Sequence, residues 1–92
     1  YQARDYAGAE ELFRRAVALR ERLLGAEHPN VAQTLNNLAA VHVARGALDS
    51  AEPLLLRALQ ITERHRGPSH PDVAVNLNNL AKLYFKRSEH AR

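Results

Sequence analysis

His28-Pro29-Asn30-Val31-Ala32-Gln33-Thr34-Leu35-Asn36-Asn37-Leu38-Ala39 returns 42 positions later as His70-Pro71-Asp72-Val73-Ala74-Val75-Asn76-Leu77-Asn78-Asn79-Leu80-Ala81. The same shift lays Ala9, Glu10, Leu12, Arg15, Ala16, Glu21, Arg22 and Gly25 on Ala51, Glu52, Leu54, Arg57, Ala58, Glu63, Arg64 and Gly67. Between pairs 9/51 and 45/87, 18 of 37 positions are identical. A period of this length makes the repeat, and not the chain, the unit that has to be explained.

Each period carries two helical patterns. Leu35, Leu38, Ala39 and His42 fall at i, i+3, i+4 and i+7, one face of a helix over 30–45, with Gly46 as its stop. A second helix over 49–66 has Leu54, Leu55, Ala58, Leu59 and Ile61 as its apolar stripe. Asp49-Ser50-Ala51-Glu52 reads as its capping box, with Pro53 tolerated beside the first turn. Gly67 closes that helix, and Pro71 reads as the first residue of the next. The expectation is an all-α chain of four antiparallel helices over 6–24, 30–45, 49–66 and 72–87. Tyr1-Gln2-Ala3 then reads as the tail of a lost helix, and Ser88-Glu89-His90-Ala91-Arg92 as the start of one that is cut off.

Composition agrees. Of 92 residues, 46% are hydrophobic and 5% aromatic, the apolar share being Ala, Leu and Val, which favours packed helices over disorder. With no Cys there is no disulfide frame, thiolate zinc site or Cys nucleophile. The net charge of +3 comes from eleven Arg and two Lys against ten acidic residues. The Arg alternate with Glu, as in Glu10 with Arg14 and Glu11 with Arg15, which reads as solvated helix faces and not as a nucleic-acid stripe. No apolar run approaches the roughly 20 residues that span a bilayer. The chain begins at Tyr1 and not Met, and reads as a piece of something longer; the cytoplasm is the expected compartment.

Catalytic and metal chemistry find little to stand on. There is no phosphate loop, H-E-x-x-H or G-x-S-x-G, and Ser50, Ser69 and Ser88 fall in turns or helix starts. Of the five His, His28 and His70 read as punctuation before Pro, His42 as a core-face residue and His90 as part of a fraying end. His65 and His70 flank a Gly-Pro turn with no third ligand. No enzyme, cofactor or metal is expected.

Gly-x-x-His-Pro-x-Val-Ala (Gly25 to Ala32, Gly67 to Ala74), Leu-Asn-Asn-Leu-Ala (Leu35 to Ala39, Leu77 to Ala81) and Ala-Glu-Pro-Leu-Leu-Leu-Arg-Ala-Leu (Ala51 to Leu59) resemble the tetratricopeptide repeats of kinesin light chains. Nephrocystin-like proteins and bacterial tetratricopeptide proteins share this wording. The resemblance implies a right-handed α-solenoid in which 1–25 is the second helix of one repeat, 26–67 a complete repeat, and 68–92 the first helix of the next. Arg4 and Ser88 depart from it where Gly46 stands, and His42 where Tyr84 is usual.

The resemblance also implies an inner groove, lined by the first helix of each repeat, that holds an extended peptide. With Leu35 as the zero of helix phase, Asn36, Ala40 and Val43 lie at roughly 80° to 140°, with Gln33 and Ala44 slightly beyond. Matched to the groove positions of the family, the candidate set is Gln33, Asn36, Asn37, Ala40, Val43, Asn78, Asn79, Lys82, Phe85 and Lys86, with Val75 on the same face. Asn suits a peptide backbone because one side chain both donates and accepts. Asn36 and Asn78 are the favoured groove members, Asn37 and Asn79 the ones expected to satisfy internal hydrogen bonds. Lys82 and Lys86, one turn apart, favour a carboxylate, so the expected partner is an acidic peptide with an apolar anchor on Phe85. Two rivals stand beside this reading. One is self-association through uncapped repeat ends, using Phe13, Val17, Tyr84 or Phe85; the other, weaker, is nucleic-acid binding.

Overall fold

Four helices, α1 (Tyr6–Leu24), α2 (Pro29–Ala44), α3 (Leu48–Arg66) and α4 (Pro71–His90), follow one another through short turns in a computed structural model that describes residues 5–90. The readings of Tyr1 to Arg4 and of Ala91 and Arg92 lie outside these residues. All four are α-helices, and there is no strand among the described residues. The helices stack in chain order: α2 packs on α1 and α3, and α3 on α4. The stack measures 37 × 29 × 18 Å, and the middle dimension is the length of a 19-residue helix at about 1.5 Å per residue.

Two apolar clusters hold it together. The first joins Val17 of α1 to Val31, Ala32, Leu35 and Leu38 of α2 and to Ala58 and Ile61 of α3. The second joins Ala39 of α2 to Leu48, Ala51 and Leu55 of α3 and to Leu80 and Leu83 of α4. Leu54 of α3 packs against both clusters. Ala39, Ala51 and Ala58 are fully buried, so a methyl group is all that separates the helix backbones there.

The turns are set by residues that the repeat carries twice. Nδ1 of His28 accepts the Asn30 amide at 3.0 Å, and Nδ1 of His70 accepts the Asp72 amide at 3.0 Å. Each His is thus an N-cap, and the Pro that follows occupies the first helical position, where no amide is needed. Replacing His28 by Ala removes an acceptor from exposed amides and lowers stability by about 1 kcal/mol, whereas His28→Asn retains the cap; urea titration of the two variants distinguishes them. At the other end of α2, Gly46 sits at φ 83°, donating to Val43 while Ala47 donates to His42 at 2.8 Å, a Schellman closure.

Two helix ends differ from the sequence reading. Helix α3 starts at Leu48 with Ala47 as an uncapped N-cap, so Asp49-Ser50-Ala51-Glu52 is no capping box. Leu48 is 7% exposed: its burial in the second cluster draws the helix start forward, which leaves Pro53 a turn inside. Helix α4 runs on through Ser88 to His90 where a new helix was expected to begin. Ser88 replaces the glycine that ends α2, so nothing at that position favours the left-handed conformation of a turn.

Polar contacts between the stacked helices also recur at the 42-residue shift. Glu10 of α1 pairs with Arg45, the C-cap of α2, at 2.6 Å and lies 3.9 Å from His42. Glu52 of α3 pairs with Arg87 of α4 at 2.9 Å and accepts the Tyr84 hydroxyl at 2.7 Å. The Tyr84 hydroxyl, and then Arg87, hold the Glu52 carboxyl below its ordinary range, and the same hydrogen bond raises the Tyr84 phenol. Arg57 of α3 reaches back to Glu21 of α1 and to the Ala26 carbonyl at 3.1 Å.

Candidate functional site

Helices α2 and α4 stand side by side on α3 and leave a cleft between them. Its centre is a hydrogen bond: Nδ2 of Asn36 donates to Oδ1 of Asn76 at 2.8 Å. Asn76 is 2% exposed, whereas Asn36 is half-buried with its Oδ1 enclosed and unpartnered. A buried amide needs such a partner, because desolvating it without one is costly. The bond therefore ties the two walls and divides the cleft into halves.

The half nearer the N-termini of α2 and α4 is a polar recess of about 280 Å³, bordered by Gln33, Asn36, Val75 and Asn76, with Arg66 and Asp72 at its mouth. Arg66 and Asp72 pair with each other at 3.5 Å, so the recess carries no free charge from them. The other half, about 230 Å³, has an apolar floor of Ala39, Leu55 and Leu83 and walls of Ala40, Val43, Asn79 and Lys82. Lys82 is exposed and has no ion pair among the described residues, as is true of Lys86.

The ten candidates divide accordingly. Asn36, Ala40, Val43, Asn79 and Lys82 come together in the apolar half, and Gln33 borders the polar half. Asn37, Asn78, Phe85 and Lys86 are exposed and border neither. Phe85, 68% exposed, is not an anchor point inside the cleft. Asn36 lines the cleft and is also engaged in the inter-helix bond, while on α4 Asn79, not Asn78, lines the wall. Asn76 was missed. The signal existed, since it stands at the helical spacing of Val73, Leu80 and Leu83, the buried stripe of α4.

Other chemistry is thinly represented. Among the described residues no three His, Asp or Glu gather as metal ligands, and no helix is long and apolar enough to cross a membrane. Arg14, Arg45, Arg57, Arg64, Arg66 and Arg87 are all paired with carboxylates, so the basic excess forms no continuous stripe through them.

Comparison with curated proteins found no match. Comparison with protein families did: the model described as tetratricopeptide repeat matches residues 1–64 and again 35–92. Repeats of that family are non-catalytic scaffolds that mediate protein–protein interaction. With stacked helix pairs, alanines where the helices approach and two overlapping family matches that together span it, this chain belongs to the tetratricopeptide repeat family.

Proposed function

We propose that this chain is part of an array of the kinesin light chain type and holds an extended acidic peptide in the α2–α4 cleft, with α2 and α3 forming one complete repeat. The observation that supports this most directly is the apolar half of the cleft. Ala39, Leu55 and Leu83 offer a floor for one apolar side chain, while Lys82, unpaired on the wall, offers a carboxylate its countercharge. Asn79 beside it can donate to and accept from a peptide backbone. The anchor therefore sits over Leu55 and Leu83 and not on Phe85.

Isothermal titration with acidic peptides carrying a single Leu or Trp tests this reading. Lys82→Glu is expected to weaken binding about tenfold by turning an attraction into a repulsion, with the loss shrinking as salt is raised. Asn79→Ala weakens it less, and Asn78→Ala leaves it unchanged. Affinity that is indifferent to both Lys82→Glu and Asn79→Ala places the peptide elsewhere.

A further inference from the structure

Phe13 and Val17, expected as free apolar surface, are not free: Val17 is in the first cluster and Phe13 packs against it. Uncommitted chemistry lies instead in the polar half of the cleft, and the repeat itself shows what fits there. Where α1 meets α2, the Arg20 side chain reaches across to α2. Its Nη1 donates to the Asn30 carbonyl at 3.0 Å and to Oγ1 of Thr34 at 3.1 Å. No carboxylate joins them among the described residues, so two neutral oxygens suffice to hold this guanidinium. The 42-residue shift takes Asn30 to Asp72, Thr34 to Asn76 and Arg20 to Thr62, and all three of these later residues border the polar recess. The acceptors thus recur where α3 meets α4, but the guanidinium does not. Thr62 is short and buried, and its hydroxyl turns back to donate to the Ala58 carbonyl at 2.8 Å. A recess of about 280 Å³ stands at the place equivalent to that of the Arg20 side chain.

Three features suit this second copy to a cation better than the first. Asp72 brings a carboxylate to the mouth, where Asn30 is neutral. Asn76 puts a carboxamide oxygen in place of the Thr34 hydroxyl, and that oxygen accepts one bond from Asn36 at 2.8 Å and keeps a second lone pair. Asn36 borders the recess too, and its enclosed Oδ1 meets no donor among the described residues. An enclosed acceptor without a donor is costly, so a group that brings N–H bonds to it is favoured. Arg66 stays at the mouth with its Nε on the Asp72 carboxylate at 3.5 Å, its own side chain being nearly half exposed.

We propose that the polar recess binds an arginine side chain of a partner protein, which takes the place that Arg20 fills one repeat earlier. Its guanidinium donates to the Asp72 carbonyl and to the side-chain oxygens of Asn76 and Asn36, and shares the Asp72 carboxylate with Arg66. Guanidinium suits the site better than the ammonium of a lysine, because its planar fork of donors reaches several fixed oxygens at once. The recess and the apolar half meet at the Asn36–Asn76 bond, so a partner segment lying along the cleft presents its arginine to one half and its apolar anchor to the other.

Nuclear magnetic resonance on the isotopically labelled chain, titrated with acetyl-arginine amide into the millimolar range, reads the outcome. The expected result is a saturable shift of the Asn36 and Asn76 side-chain amide signals and of the backbone amides around Asp72. Acetyl-citrulline amide, of the same shape without the charge, binds at least about fivefold more weakly, because hydrogen bonds from a charged donor are the stronger ones. Asp72→Asn keeps the carbonyl and removes the countercharge, and it weakens the arginine probe about fivefold, the upper range of an exposed ion pair. Thr62→Arg supplies the guanidinium from the chain itself, as Arg20 does on α1, and abolishes the shifts while helicity is kept. No saturable shift, equal affinity for the citrulline probe, or shifts that survive in folded Thr62→Arg overturn the proposal. Where Thr62→Arg does not fold, Asp72→Asn decides, and an arginine affinity that it leaves unaltered overturns the proposal too. The probe carries neither a carboxylate nor an apolar anchor, so its failure leaves the acidic-peptide reading standing, and the failure of that reading leaves this one.

Discussion

Leu35→Ala removes most of the stability of the fold, while Leu77→Ala, the same substitution 42 positions later, is nearly silent. Leu35 is 1% exposed at the centre of the cluster that joins α1, α2 and α3. Truncation there loses transfer free energy and leaves a cavity, together about 2–5 kcal/mol. A domain of this size has roughly 5 kcal/mol or little more in total, so the loss takes most of its stability. Leu77 has half its surface in water already, and its truncation is expected to cost no more than about 0.5 kcal/mol. Urea denaturation followed by circular dichroism, at concentrations low enough to keep chains apart, measures both. Equal losses would mean that the two leucines have equal surroundings and that α4 is covered in solution even when dilute.

The asparagine pair gives the second large effect, and it is expected to be non-additive. Asn36→Leu leaves Asn76, 2% exposed, with its carbonyl oxygen facing an apolar group, at a cost of about 1–3 kcal/mol. Asn76→Leu is milder, because Asn36 is only half-buried and its amide can turn to water. The double variant Asn36→Leu/Asn76→Leu replaces both partners by apolar groups of similar volume and lies close to the parent in stability. A double-mutant cycle on urea midpoints is expected to show coupling of about 1 kcal/mol or more; additive losses would mean that the bond does not tie the walls.

Much of this was legible in the chain itself. The recurrence of His28-Pro29 and of Leu35 to Ala39 fixed the number of helices and their buried faces, because a helical period and a glycine stop depend only on local sequence. The cleft was legible in part. Ala40, Val43 and Lys82 follow from helix phase, but which of two adjacent asparagines faces the cleft turns on how far α4 is rotated on α3. Packing of Val73, Asn76, Leu80 and Leu83 decides that rotation, and it carries Asn79 into the wall and Phe85 out of it. Leu77 shows the same dependence: its letter matches Leu35, but burial belongs to a neighbour and not to a residue. The cap role of His28 and His70 was hidden because imidazole is not among the usual N-cap side chains, although its Nδ1 reaches the amide two residues on as an Asn oxygen would.

That each helix rests chiefly on the helices before and after it in the chain bears on how the molecule assembles. No distant strand must be found and no long loop closed, so the entropic barrier to folding is small and the low contact order favours fast folding. Such a stack has no single all-or-none nucleus. Order can start at the α2–α3 hairpin, the most extensive contact, and spread outward one helix at a time, with α1 and α4 opening first when it melts.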